Sequence, residues 1–423
     1  VGTPGATGTD GNGAGGDLTL TAAITASGNL TKAGSGTMFV NASSNAYTGG
    51  FLCNGGSLVI QNAIQGSAGI TVNSGARLVT NATNFFVGGH GTAVNASRVI
   101  TVNGGTWLMD TGHDARIGNV TLSNGATWTS NRGLSNYDAL LANTNLGAAT
   151  VNVTGTGAST MNGTGGIHLQ GVQNFNVANT TGNASADLVV DMILAAQGTI
   201  GGDAGGVRKQ GDGTMQLNRT NTYTGSTIIE GGTLAIGASG SIASSSAVIV
   251  GASTTLDVSA ASSFTIGSSQ TLSGSGSVKG NTTIAGTLNP GTSPGTLAFT
   301  DNLGLNASAI TNFELHPMDL TIGGGVNDLI TVGGNLTLNG ILNITASTGS
   351  FTGVTSGSWT LFTYSGSLTD NGIVLGSKPM LDTGYEWQLN TSSPGSVNLT
   401  IIPEPQFAVI GSLGLLIMLR RRR

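Results

Sequence analysis

The 423-residue chain contains 71 glycines, only 8% charged residues and a formal net charge of −5. With 38% hydrophobic residues it is too apolar for a disordered chain, and it has neither the three-residue glycine period nor the proline content of collagen. Its 14 lysines and arginines, four of them at the extreme C-terminus, form no basic cluster in the body of the chain, which argues against nucleic-acid binding.

Short strings of Leu, Val, Ile and Thr, separated by Gly, Asn and Ser, predict many short strands and tight turns. A Gly-Gly or Asn-Gly step followed by an alternating strand recurs along the chain, for example at residues 103–108, 285–288 and 333–338. Alternation places the aliphatic residues on one face and Thr, Ser and Asn on the other, while Gly and Asn tolerate the positive φ of sharp corners. We therefore predict an all-β, right-handed parallel β-helix (β-solenoid). A β-sandwich, which normally needs fewer residues, and a hairpin-built barrel, which favours longer and more evenly spaced strands, are the weaker alternatives.

Three sequence elements recur in the same order in two distant parts of the chain. They are a Lys-x-Gly-x-Gly-Thr strand, an Asn-x-Tyr-Thr-Gly step and a Gly-Gly strand opening. The first copy places them at residues 30–40, 45–50 and 55–60, and the second at 207–217, 221–226 and 231–236. Recurrence of three elements in one order identifies an internal repeat.

This ordered pattern resembles the autotransporter-associated β-strand repeats. The resemblance implies a β-helical passenger region of a secreted bacterial protein. Residues 207–237 match the pattern better, because the copy at 30–60 departs from it at Ala46, Phe51 and Cys53. The Pro-Gly-rich stretch at 290–297 also looks like the segments that follow such repeats. We assign residues 1–300 to a β-solenoid with these repeats.

Aromatic residues are more frequent after residue 300, where Trp359, Tyr364, Tyr385 and Trp387 occur. Stacked repeats need a closed end. We interpret residues 301–399 as a C-terminal solenoid section or cap whose aromatics close the core. A sugar-stacking platform is the alternative that we favour less.

The C-terminal segment 400–423 combines three features in a fixed order. Pro403-Glu404-Pro405 precedes an apolar run, Phe407 to Leu419, and four arginines end the chain. The order resembles the PEP-CTERM sorting signal, which implies an exosortase-type enzyme that recognises Pro403, Glu404 and Pro405. The predicted membrane-anchor residues are Phe407, Leu413, Leu415, Leu416, Ile417 and Leu419, and the predicted cytoplasmic basic stop is Arg420, Arg421, Arg422 and Arg423.

The apolar run predicts a short transmembrane helix. Thirteen residues give about 20 Å of helix against a hydrocarbon core of about 30 Å, so extension back toward Ile401 and snorkelling arginines would have to cover part of the difference. An ordinary hydrophobic C-terminal helix is the alternative. Because the chain starts at Val1 without a methionine, we expect a trimmed or incomplete N-terminus.

The densest polar group before the tail lies at residues 110–116. Asp110 and Asp114 are weak candidates for a calcium or sugar site, although calcium prefers a tighter spacing of oxygen ligands and a charged loop is the simpler interpretation. His90, His168 and His316 have no metal-ligand spacing. Cys53, the single cysteine, excludes an internal disulfide, and we expect a buried thiol.

These observations favour an exported structural or adhesive protein of the cell surface or extracellular matrix, without a cofactor and without enzymatic activity. Expected partners are an exosortase-type enzyme, the membrane before processing, and exopolysaccharide or other surface proteins. The alternative is a secreted β-helical polysaccharide lyase or glycosidase carried by the same tail. Paired carboxylates converging on one face would favour the enzyme.

Overall fold

A computed structural model describes residues 18–22, 24, 27–41, 47–62, 69–80, 96–110, 115–134, 139–142, 147–196, 203–291 and 293–404. The chain forms two compact units, Val1–Val248 and Ile249–Arg423. Over the described ranges every regular element is a β-strand and none is an α-helix, which confirms the all-β prediction. The compact units divide between Val248 and Ile249, and the division of the solenoid between residues 300 and 301 stays a prediction.

The first unit consists of two sheets of parallel strands. The first sheet contains β1 (Leu18–Leu20), β3 (Thr37–Val40), β5 (Gly56–Ile60), β7 (Ala76–Thr80), β9 (Thr106–Met109), β10 (Ala115–Ile117), β12 (Thr127–Ser130), β13 (Ala139–Leu141), β15 (Ser159–Leu169), β17 (Leu188–Ala196), β19 (Thr214–Leu217) and β21 (Thr233–Ile236). The second contains β2 (Leu30–Lys32), β4 (Phe51–Cys53), β6 (Gly69–Asn73), β8 (Val99–Asn103), β11 (Val120–Ser123), β14 (Thr150–Thr154), β16 (Val172–Val177), β18 (Gly206–Gln210) and β20 (Thr227–Ile229), and β22 (Ala247–Val250) lies at the unit boundary.

Strands that are consecutive in sequence mostly alternate between these two sheets. Each pairs in parallel with a strand of the next coil, as β3 does with β5 and β4 with β6. Parallel pairing of successive coils is the defining feature of a β-solenoid. The fold class is therefore confirmed for this unit, while the right hand of the coil stays a prediction.

Side chains alternate between the core and the surface along most strands of the first unit. In β19, for example, Met215 and Leu217 are buried and the two residues between and before them are half-buried. Identical residues also stack from coil to coil. Trp107 and Trp128 are register partners with ring centroids 4.6 Å apart and planes 12° apart, and both are fully buried. Stacking of this kind fixes the register of neighbouring coils.

The second unit has three sheets. The first contains β23 (Thr255–Asp257), β26 (Ser277–Lys279), β29 (Thr296–Phe299), β32 (Leu329–Val332), β35 (Gly357–Tyr364), β39 (Ser396–Pro403) and β38 (Tyr385–Asn390); the second contains β25 (Thr271–Gly274), β28 (Thr287–Pro290), β31 (Ile310–Leu315), β34 (Ile341–Ala346) and β37 (Val374–Leu375); and the third contains β24 (Phe264–Ile266), β27 (Thr282–Ile284), β30 (Leu303–Leu305), β33 (Leu336–Leu338) and β36 (Leu368–Asp370). Strand β24 pairs in parallel with β27 and β27 with β30, so each coil gives one strand to each sheet.

The parallel stack of the second unit ends in an antiparallel layer. Strand β39 pairs antiparallel with both β35 and β38. Beside it, Phe351, Trp359 and Trp387 form an edge-to-face cluster with ring centroids 5.0 to 5.5 Å apart. All three rings are buried. Of the four aromatic residues named from the sequence, Trp359 and Trp387 thus lie in the core, whereas Tyr364 and Tyr385 are half-buried, and the assignment of residues 301–399 as a cap stays a prediction.

The predicted tail begins inside this layer. Ile401 and Pro403 belong to β39, so residues 401–403 are strand and do not extend a helix back toward Ile401. Pro405, the anchor residues from Phe407 to Leu419 and Arg420 to Arg423 lie outside the described residues. Within the described ranges no helix is long and apolar enough to cross a membrane.

Candidate functional site

The lysine of the first repeat copy is built into the corner between two coils. Lys32 ends β2 and is 7% exposed. Its Nζ donates hydrogen bonds to the carbonyl oxygens of Ala33 (3.0 Å), Gly34 (2.8 Å) and Gly55 (2.9 Å). Two acceptors belong to the turn that follows the lysine, and the third belongs to the Gly-Gly opening of the next coil. One side chain thus joins two elements of the sequence motif.

The second copy reproduces this arrangement. Lys209, which is fully buried, donates from Nζ to the carbonyl oxygens of Gln210 (2.9 Å), Gly211 (2.8 Å) and Gly231 (3.0 Å). Burial lowers the pKa of Lys209 from 10.5 to about 8, although Asp187 and Asp212 act in the opposite direction. We call each set of three carbonyls a lysine cage. Each cage joins neighbouring coils, because two of its carbonyls follow the lysine and the third belongs to the next coil.

The tyrosine of the motif has a related role. The Tyr47 hydroxyl lies 2.6 Å from the Gly28 carbonyl oxygen and 2.8 Å from that of Gly50. The Tyr223 hydroxyl instead shares a hydrogen bond of 2.7 Å with Thr227 Oγ1. Burial raises the pKa of both phenols. The tyrosines therefore pair with polar groups inside the coil corners and present no reactive group to solvent.

The glycine pair explains why the motif tolerates no side chain at its strand opening. Gly56 and Gly232 have φ of +61° and +58°, a region that L-residues rarely adopt. A Cβ on Gly232 would also collide with the Gly213 carbonyl oxygen of the preceding coil. The lysine and the glycine pair therefore recur at equivalent corners in both copies, whereas the tyrosine hydroxyl has different partners in the two copies.

A buried carboxylate that the sequence did not single out lies beside the second lysine cage. Asp187 accepts hydrogen bonds from the backbone N–H groups of Thr180, Thr181 and Thr214, each at 2.7 Å, and from two threonine hydroxyls. Burial acts to raise its pKa, but these donors outweigh burial and hold the pKa below its usual range. Asp187 thereby fixes the excursion at residues 178–186 to the repeat.

A second such carboxylate, Asp328, lies in the other unit. Its two oxygens accept the N–H groups of Gly295 and Glu314, each at 2.7 Å. Burial raises the pKa of Asp328 to about 7, more than these hydrogen bonds lower it, and the Glu314 carboxylate adds to the increase. Asp328 is 2% exposed, so the carboxyl groups of Asp328 and Glu314 do not offer the open acid–base arrangement expected of a glycosidase.

Only some of the other predicted site residues lie in the described part of the chain. Asp110 follows β9 and its N–H donates to the Thr80 carbonyl, while Asp114 lies outside the described residues, as does His90. His168 is buried with Nδ1 2.6 Å from the Ala196 carbonyl oxygen. In the described part of the chain no group of three His, Cys, Asp or Glu side chains could hold a metal ion.

Cys53 is buried, as expected, and burial raises the pKa of its thiol. A raised thiol pKa reduces the thiolate fraction that nucleophilic chemistry requires.

Uncharged polar ladders run along the outside of both units. In the first unit, Asn73 donates to Asn54 (2.7 Å), Asn103 to Asn73 (3.0 Å) and Asn124 to Asn103 (2.6 Å). In the second, Asn312 donates to Asn289 (2.7 Å) and Asn343 to Asn312 (2.9 Å). Over these coils the surface therefore carries rows of hydrogen-bonded amides.

Coiled parallel strands with a repeated corner unit place this chain among the β-solenoid proteins. Residues 30–60 and 207–236 match the family described as Passenger-associated-transport-repeat, which confirms the resemblance seen in both copies. Over 115 residues, 27% of this chain, the sequence is 41% identical to the protein named "Adhesin BmaC autotransporter" of Brucella suis biovar 1 (strain 1330). The match spans 3% of that relative's length.

Proposed function

We propose that this chain is an exported structural or adhesive protein of a bacterial cell surface or extracellular matrix. The main support for the proposal is the duplicated repeat, which contains the same lysine cage in both copies. Both copies match a family named for passenger-associated transport. Similarity to a protein named as an autotransporter adhesin supports the adhesive role. Regular uncharged amide ladders suit many weak polar contacts along the sides.

The C-terminal segment supplies the proposed delivery route. Pro403-Glu404-Pro405 is the sorting motif recognised by an exosortase-type enzyme, the run from Phe407 to Leu419 spans the inner membrane before processing, and the four arginines remain cytoplasmic. Within the described residues, Pro403 ends β39 and the Glu404 N–H donates to the Gly384 carbonyl at 2.9 Å. The first two residues of the motif, Pro403 and Glu404, therefore lie in or directly against the antiparallel layer.

The route is tested by changing the Glu404 side chain in a host that has an exosortase. Since Glu404 bonds to Gly384 through its backbone N–H, Glu404→Ala keeps this contact and removes only the carboxylate. We expect the parent to appear outside the inner membrane with a mass shortened near residue 403, and Glu404→Ala to stay whole in the membrane fraction. Glu386→Ala is the matched control, because Glu386 is exposed on β38 opposite Ile402.

Equal masses and equal fractionation of all three proteins would reject the sorting route. The adhesive role is tested separately by protease shaving of intact cells and by cell-to-cell and cell-to-surface attachment with and without the gene. A chain that shaving never reaches would reject the surface location, and unchanged attachment would reject adhesion.

A further inference from the structure

One outer face of the second unit differs from the rest of its surface. On the second sheet, a column of β-branched residues runs in register from coil to coil: Thr271, Thr287, Ile310, Ile341 and Val374. A parallel column two residues further along the strands consists of Ser273, Asn289, Asn312 and Asn343. We call these two columns the ladder face.

The aliphatic half of the ladder face is exposed where strand alternation would favour polar residues. Ile310, Ile341 and Val374 are 37%, 40% and 54% exposed, so exposure rises toward the last coil. Aliphatic side chains that line up on successive coils form a continuous apolar strip, and strips rimmed by polar groups mark binding surfaces.

The amide half of the ladder face is held in a fixed orientation. Asn312 and Asn343 each use one N–H to reach the amide oxygen of the previous coil, at 2.7 and 2.9 Å. An amide has two N–H donors and an oxygen with two lone pairs, so hydrogen-bonding capacity remains on every rung. This capacity repeats at the interstrand spacing of about 4.8 Å.

The ladder face continues into an open groove of about 370 Å³ beside the last coil. Asn343 Oδ1 accepts the Ser377 N–H at 2.9 Å, and Ser377 and Thr345 both line the groove. Met380, 86% exposed, lies on its rim together with Lys378. Residues outside the two columns line the groove, which can also receive a ligand.

We propose that the ladder face and its groove bind a linear neutral polysaccharide laid along the stack of coils. The apolar strip would contact the C–H faces of the sugar rings, and the amides would pair with their hydroxyl groups. The spacing between successive coils is comparable to the length of one sugar residue, so successive sugar rings would meet equivalent contacts. Both columns are uncharged, which disfavours a polyanion or polycation, and the groove accommodates the chain end. This inference rests on the proposed surface function and names its partner.

The test measures binding of the full chain to cellohexaose and to an N-acetylglucosamine hexamer by calorimetry, with a polygalacturonate oligomer as the anionic comparison. Ile310→Ser, Ile341→Ser and Val374→Ser combined should weaken binding at least tenfold. Ile341→Thr, which keeps the β-branched shape of the Thr271 and Thr287 rungs, should weaken it about threefold. The matched control combines Met318→Ser, Leu320→Ser and Ile322→Ser, three exposed aliphatic residues elsewhere in the unit, and should change binding less than twofold.

Several outcomes would overturn the inference. They are no binding of either neutral hexamer, equal binding of the anionic oligomer, or equal losses in the face and control variants. A face variant that changes only the sedimentation of the protein would assign the face to a second copy and reject the glycan. If any of these outcomes is found while the shaving and attachment assays still show a surface adhesin, glycan binding by the ladder face is rejected and the proposed function stands. A chain that is never exposed on cells instead rejects the proposed function.

Discussion

The lysine cage predicts how much stability the chain loses when Lys209 is replaced in Lys209→Met. Methionine keeps the apolar stem of the buried lysine but removes the ammonium from three carbonyls. Each buried acceptor that loses its donor costs about 1–3 kcal/mol. Removing the charge recovers about 3 kcal/mol, the cost implied by a pKa lowered from 10.5 to about 8. We therefore expect a net loss of about 3 kcal/mol, with methionine packing as the remaining difference.

Native-state hydrogen exchange is the appropriate assay, because a stack of coils opens locally and need not unfold in one step. A loss of about 3 kcal/mol raises exchange of the amides at residues 207–236 by roughly 100-fold. Arg208→Met is the matched control, since the neighbouring Arg208 makes only a partly exposed ion pair with Glu230. Such pairs contribute about 0–1 kcal/mol, so its exchange should rise less than about fivefold.

Two results would refute this reasoning. Exchange of Lys209→Met within threefold of the parent would mean that the carbonyls find other partners and that the cage does not hold the coils. Equal increases for Lys209→Met and Arg208→Met would mean that the position on β18, rather than the cage, determines protection.

Two further predictions concern the buried carboxylates. Asp187→Ala removes five hydrogen bonds and should destabilise the excursion at residues 178–186 by at least about 3 kcal/mol, which limited proteolysis would show as cleavage there. The control Asp191→Ala removes an exposed ion pair at 3.7 Å and should leave the cleavage pattern unchanged. Equal cleavage patterns for the two variants would contradict the role given to Asp187. Because the pKa of Asp328 is raised to about 7 from an unfolded value near 3.9, the folded state binds the extra proton, so the stability contributed by Asp328 is full below about pH 4 and is lost as pH rises to about 7. Protection of the amides at residues 293–332 from hydrogen exchange should therefore be higher at pH 5 than at pH 8, after correction for intrinsic exchange. Asp328→Asn should remove this difference. A pH dependence that survives in Asp328→Asn would mean that another group causes it.

The sequence predicts the fold because the solenoid rules are local. Alternation along strands such as β19 determines which side chains enter the core, and the Gly-Gly steps at residues 55–56 and 231–232 mark corners that need positive φ. Both signals lie within a few residues. Burial of Trp359 and Trp387 was predictable for a similar reason, because a stack of coils must be closed.

The buried carboxylates could not be predicted in this way. Four of the five hydrogen bonds to Asp187 come from the nearby Thr180 and Thr181, but the fifth comes from Thr214, 27 residues away. Asp328 is separated by 33 residues from Gly295, so these distant partners depend on the lengths of the intervening coils. The ladder face was missed for the same reason. Ile310, Ile341 and Val374 lie about thirty residues apart, and their column exists only once the register of β31, β34 and β37 is known.

The lysine cage explains why a charged residue can stand at a core position of a chain with so few charges. The pKa of Lys209 stays lowered although Asp187 and Asp212 raise it, so these carboxylates do not offset its burial in full. Three backbone carbonyls also accept hydrogen bonds from its ammonium. Those carbonyls exist in any sequence that forms the corner, so the lysine needs no acidic partner to covary with it. A corner held by lysine and backbone alone can be repeated wherever glycines permit the turn. The two copies here differ at many surface positions while keeping Lys32 and Lys209 in the same contacts.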